Sequence, residues 1–160
     1  MHNNKEFEKY HISLRILHWV MSIIIIGMIF FGWYMASLDF ETVPNKKYFI
    51  LFHKSFGVLV MILVCIRLIC RFFTKIPALD PSYPLYIKFS SKLVHTLLYC
   101  YMIFLPLNGI LMSQYGGYKV IFFLYEIPVL VEKNPEMAKI LRQWHEYLAY
   151  SLIFFIFLHL

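Results

Sequence analysis

At 160 residues, with 61% hydrophobic and 19% aromatic content and a mean hydropathy of +0.66, the chain is too apolar for a soluble domain and reads as an integral membrane protein. A formal charge of +6 would favour nucleic acid in a soluble chain. Here the Lys and Arg residues fall mostly in short connections and at helix ends, where they meet headgroups, so no nucleic-acid partner is expected.

A helix needs about 20 apolar residues to cross the hydrocarbon core. Four stretches qualify, at about 14–38, 49–73, 93–113 and 144–160. They predict an all-α integral membrane four-helix bundle with up-down-up-down topology, a single unit over residues 1–160 with no room for a second domain.

The polar start HNNKEFEKYHISLR leads into the first span, where Arg15 is placed to snorkel to the interface. The apolar part, Ile16 to Leu38, outlasts a signal-peptide core of about 7–15 residues and lacks an A-x-A-like exit, so it is read as a retained span. DFETVPNKKY, with Pro44 and Asn45, makes a turn-rich connection to the second span.

After the second span, RFFTKIPALDPSYPLYIKFSSK carries Pro77, Pro81 and Pro84 and predicts an extended loop along the membrane surface. Pro106 is expected to kink the third span, with Asn108 satisfying the backbone groups it frees. The next connection contains VIFFLYEIPVL, too short and too broken by proline to cross, which is expected to lie in the interface or cap the bundle before the amphipathic lead-in PEMAKILRQ. Trp19, Trp33, Tyr34 and Trp144 are read as interfacial anchors. Cys65, Cys70 and Cys100 lie in apolar runs with neither C-x-x-C nor C-x-x-C-H spacing, and are read as buried small hydrophobes.

Counting Lys and Arg, the N-terminal segment and second connection hold eight against seven on the other side. The tight cluster Arg67, Arg71 and Lys75 favours an N-terminus on the cytoplasmic side.

Five of the seven histidines fall in spans: His18, His53, His95, His145 and His159. Ionisable residues inside a membrane are costly and mark function by default. With adjacent spans antiparallel, His53 and His145 share one depth, while His18, His95 and His159 share the other. His159 follows His145 by fourteen residues, about 21 Å along a helix and within roughly 40° of the same face.

Histidines that face one another across a bundle at two depths suit b-type haem, which takes two axial imidazoles on opposite sides of its ring. His53 and His145 have no competitor at their level, whereas three histidines compete for two positions at the other. Zinc or a di-metal carboxylate centre is disfavoured, because there is no H-E-x-x-H and the spans hold almost no acids beyond Glu146.

The motifs LRILHW, FHKSFGVLVMILVCIRLICR, LVHTLLYCYMIFLPLNGILM, and WHEYLAY followed by LH resemble the bacterial cytochrome b561 family, related to the cytochrome b subunits of nickel-iron hydrogenases. The resemblance covers essentially the whole chain. It implies two haems b held by His18 with His159 and by His53 with His145, leaving His95 as an alternative ligand or a quinone or propionate neighbour. Arg15, Arg67 and Arg71 become candidate propionate partners at the inner level, and Lys54 and Arg142 at the outer. Gly57, one turn after His53, would admit a porphyrin edge or a close helix. Relatives continue past the last histidine with a basic tail, whereas this sequence stops at Leu160. A span of about 17 residues from Trp144 is at the short limit, with His159 on a helix end expected to fray.

The implied function is a b-type cytochrome of the bacterial inner membrane that relays electrons between an outer donor and a membrane quinone. In family members this looks like superoxide oxidation coupled to ubiquinone reduction, for which Lys46, Lys47 and Lys54 would steer a small anion. A haem subunit serving a partner dehydrogenase or hydrogenase is the alternative within electron transfer. A non-haem transport or structural bundle is the alternative outside it.

Overall fold

The computed structural model describes residues 10–39, 46–77 and 82–160. The turn expected at Pro44 and Asn45, and Pro81 of the expected surface loop, lie outside these residues. Four helices follow one another, α1 (Ile12–Ser37), α2 (Lys46–Phe73), α3 (Leu85–Tyr115) and α4 (Pro135–His159), with a two-stranded antiparallel hairpin, β1 (Ile121–Phe122) and β2 (Tyr125–Glu126), between the last two. Among the described residues α1, α2 and α3 are long and apolar enough to cross a membrane. The apolar part of α4 follows its polar opening, PEMAKILRQ.

In a bilayer every backbone N–H and C=O must find a partner within the protein, and long aliphatic helices meet that demand internally. Their ends need caps. The His11 ring accepts from the Ser13 N–H at the start of α1, and the Asn134 side chain accepts from the Met137 N–H at 3.1 Å at the start of α4. Pro135 and Glu136 occupy the first turn of α4, positions where proline's missing donor is harmless and a carboxylate meets the positive end of the helix dipole. Lys46 donates to the Leu38 carbonyl and so caps the exit of α1.

Two expected boundaries move. LYIKFSSK belongs to α3 instead of an extended loop, because the prolines end with Pro84, whose carbonyl accepts from the Ile87 and Lys88 N–H groups as the helix starts. α3 therefore has 31 residues and spans about 46 Å, with His95 well inside it. PEMAKILRQ is likewise continuous with the fourth span, so α4 has 25 residues, not 17. Hydropathy locates lipid depth, and here the helices run on past it.

α3 packs most extensively on α4, α1 packs on α2, and α2 on α3, while α4 stands off from α1 and α2. Few side chains are fully buried, and the outward surface is large and apolar, with Ile23, Phe30, Phe72 and Phe157 exposed as lipid-facing residues are. Cys65 is among the exposed residues, contrary to its expected burial, while Cys70 and Cys100 are half-buried.

VIFFLYEIPVL forms the hairpin and packs against α2 and α3. Val120 packs with Val58 and Ile110 in a cluster flanked by Met61, Phe122 and Ile127. The Ser55 hydroxyl donates to the Ile121 carbonyl and accepts from the Phe123 N–H, both at 3.0 Å. The Gln114 amide donates to the Pro128 carbonyl at 2.8 Å and accepts from the Leu130 N–H at 2.9 Å. Two polar side chains on α2 and α3 thus hold a segment whose own strands are two residues each.

Candidate functional site

The spanning histidines meet in two groups. His53 on α2 and His145 on α4 have ring centroids 6.3 Å apart with planes crossed at 66°. Fourteen residues along α4, His159 faces His18 of α1 at 6.0 Å and 75°. The His95 ring from α3 lies 4.9 Å from that of His159.

Two imidazoles trans on one metal ion each contribute a bond of about 2 Å and roughly 1 Å from nitrogen to ring centre, which puts their centroids about 6 Å apart. The His53 and His145 pair and the His18 and His159 pair have this spacing; His95 and His159 are too close for it. Both fitting pairs reach across the side on which α4 stands off from α1 and α2. Among the described residues, no three His, Cys, Asp or Glu side chains are grouped to hold a bare ion, so the pair is the unit of the site. The residues present fit haem.

Two glycines sit behind the His53 and His145 rings. A Cβ on Gly32 of α1 would lie 3.5 Å from His53 Cε1, and one on Gly109 of α3 would lie 3.2 Å from His145 Cε1. Phe31 stacks on His53 at 6.4 Å and 21°. His53 Nδ1 and His145 Nδ1 are buried without a hydrogen-bond partner, as is Asn108 Oδ1. Around Gly57 a Cβ would meet nothing within 4 Å. That removes close helix packing as its reason and leaves open space one turn from His53.

At the other level, His95 Nδ1 lies 2.7 Å from the Ser91 carbonyl, a contact in which the ring N–H donates. Arg67 donates from Nε to the Tyr99 hydroxyl at 3.1 Å and from Nη1 to the Leu14 carbonyl. It ties α1, α2 and α3 together one turn from His18. Arg15 is exposed on the first turn of α1, and Arg71 is half-buried in the last turns of α2.

Lys46 is 6% exposed and bonded to Leu38, so it is not the free surface cation expected for steering. Lys54 donates to the Lys119 carbonyl at 3.3 Å and lies 5.9 Å from the Tyr118 ring centre. Lys47 and Arg142 remain exposed. Trp19, Trp33 and Trp144 are exposed on the outer surface of the bundle, and so is Tyr34.

Sequence reasoning missed Gly32, Gly109 and Ser55. Gly32 had a signal: it follows His18 by the same fourteen residues that separate His145 from His159, and so lies on the His18 face of α1 at the other level. Gly109→Ala is expected to press on His145 by a few tenths of an ångström. Such overpacking costs about 1–3 kcal/mol, weakening haem retention at this level roughly tenfold or more. Gly32→Ala, at an ordinary contact distance, should leave retention unchanged. Haem loss to apomyoglobin, timed for both variants, checks the contrast.

A family profile described as prokaryotic cytochrome b561 matches residues 9–160. Cytochrome b561 homolog 2 of Escherichia coli strain K12 is 27% identical over 153 residues, covering 95% of this chain and 81% of the relative. Cytochrome b561 homolog 1 of the same strain is 26% identical over 134 residues, covering 81% and 73% respectively.

Proposed function

Because this chain belongs to the prokaryotic cytochrome b561 family of haem-containing membrane electron-transport proteins, we propose that it carries two haems b, one between His53 and His145 and one between His18 and His159, and relays electrons through them to a membrane quinone. The observation that carries this reading is the repetition of one histidine spacing, 6.3 Å and 6.0 Å, at two depths on the same helix face.

When bound, haem supplies a one-electron couple whose potential follows its axial ligands, burial and surrounding hydrogen bonds. The chain supplies the rest. His145 and His159 on α4 fix the distance between the two levels at about 21 Å from ring to ring along the helix. Phe31 and the closely placed Gly32 and Gly109 limit the rotation of the His53 and His145 rings. Arg67, held by Leu14 and Tyr99, keeps a fixed positive charge beside His18 and favours the anionic side chains of a haem there.

Quinone reduction needs a membrane-soluble acceptor close to one level, and we assign it to the His18 end, which lies on the cytoplasmic side if the Arg67, Arg71 and Lys75 cluster sets orientation. The donor enters at the His53 end, superoxide being the first to test. The purified protein should show sharp α and Soret bands in its reduced-minus-oxidised spectrum, with two haems per chain. Superoxide should then reduce ubiquinone through it without a partner enzyme. A colourless protein ends the haem reading; a coloured protein that needs a co-purifying dehydrogenase ends the stand-alone one.

A further inference from the structure

The hairpin between α3 and α4 has an apolar tip that the protein itself leaves uncovered. Leu124 is 90% and Tyr125 75% exposed, and Phe123 is half-exposed. A run of this kind facing water is unfavourable, and its surroundings show what covers it.

Depth comes first. The two histidine levels are about 21 Å apart within a hydrocarbon core of about 30 Å, so if they are centred each lies roughly 4–5 Å inside the boundary. The hairpin is bound at one of these levels. Ser55, which holds its backbone, is two residues from His53, and Ile110, which packs on Val120, directly follows the glycine that abuts His145.

Continuity comes second. The Phe123 ring meets Phe56 at 5.7 Å, and Phe56 meets Phe52 at 4.4 Å. Phe52 is itself exposed on the outer surface of the spanning helix α2. The tip therefore extends a surface that already faces lipid.

Satisfaction of the backbone comes third. Non-helical chain at membrane depth is tolerated where it is held against protein, and the base of this hairpin is held in that way. The Phe123 N–H and Ile121 carbonyl are taken by Ser55, and the Ile127 N–H donates to the Val120 carbonyl at 2.9 Å. The charged pair Lys119 and Glu126, at 2.8 Å and well exposed, stands toward the base of the hairpin, where headgroups accommodate it.

We propose that residues 118–130 form a re-entrant hairpin whose tip, Phe123 to Tyr125, inserts among the lipid chains of the leaflet at the His53 and His145 level. Lipid is the partner, and Ser55 and Gln114 are the polar anchors that allow a short hairpin to sit there.

The test uses the full chain with its haem, in phosphatidylcholine and phosphatidylglycerol nanodiscs, which leave both faces open to reagent. Leu124→Cys, Tyr125→Cys and Lys119→Cys are each made in a Cys65→Ser, Cys70→Ser, Cys100→Ser background, with the visible spectrum as the check on folding. A charged, bilayer-impermeant maleimide should label the thiols at 124 and 125 at least tenfold more slowly than the thiol at 119. Pyrenyl maleimide dissolved in the bilayer should label the thiol at 124 readily. Equal rates with the charged reagent at 124 and 119 put the tip in water and overturn the proposal. Slow labelling at 124 by both reagents means that protein, such as a second copy, covers the tip, and this also overturns it.

Discussion

His145→Ala is expected to lower haem content from two to one per chain, and His53→Ala to do the same. Among the described residues, each of these side chains is the one histidine facing the other at its level, 6.3 Å away. With one imidazole gone, the residues around the vacated ring are Gly109, Gly32 and Phe31, none of which can bind iron. The double variant should lose no more than either single, since the pair acts as one site and its energies are not additive. Pyridine haemochrome counting against protein mass reads the outcome directly. His11→Ala, which alters only the cap of α1, should keep two. Retention of two haems in His145→Ala would falsify the axial assignment at this level.

How much of this was legible in the sequence depends on which physical quantity each residue reports. Apolar length found α1, α2, α3 and the apolar end of α4, and the fourteen-residue spacing of His145 and His159 found two levels on one face, because both follow from helix geometry alone. Helix starts were not legible. The first turns of α3 and α4, LYIKFSSK and PEMAKILRQ, are amphipathic and outlie the hydrocarbon, so hydropathy passes over them while backbone hydrogen bonding does not. α4, read as a short span with His159 fraying at its end, gains nine residues from this at its other end, and His159 is its last residue.

Side-chain commitments were the least legible. Lys46 looked like a connection cation and is buried as the cap of α1, and Arg67 looked like a free propionate partner and already holds Leu14 and Tyr99. A long cationic side chain near a helix end has two uses, lipid phosphate or a carbonyl of a neighbouring helix. Which one applies depends on how that neighbour is placed, a relation that no spacing within one helix contains. The same holds for His18 and His95, which share a depth but lie on different helices.

At that level the expected result is therefore asymmetric. His18→Ala and His159→Ala should each reduce haem content from two to one, while His95→Ala should leave two. The ring of His18 stands 6.0 Å from that of His159, the spacing that two bonds to one iron require, and His95 at 4.9 Å is too near to share the iron from the opposite side. α3, which carries His95, packs closely on α4, whereas α1 and α4 stand apart. The discriminating measurement is haem count together with the ferric low-spin EPR signal. His95→Ala should retain two low-spin components, with at most a shift in the one nearer His159. If it instead loses a haem while His18→Ala keeps both, the ligand at this level is His95, and the gap between α1 and α4 serves something else.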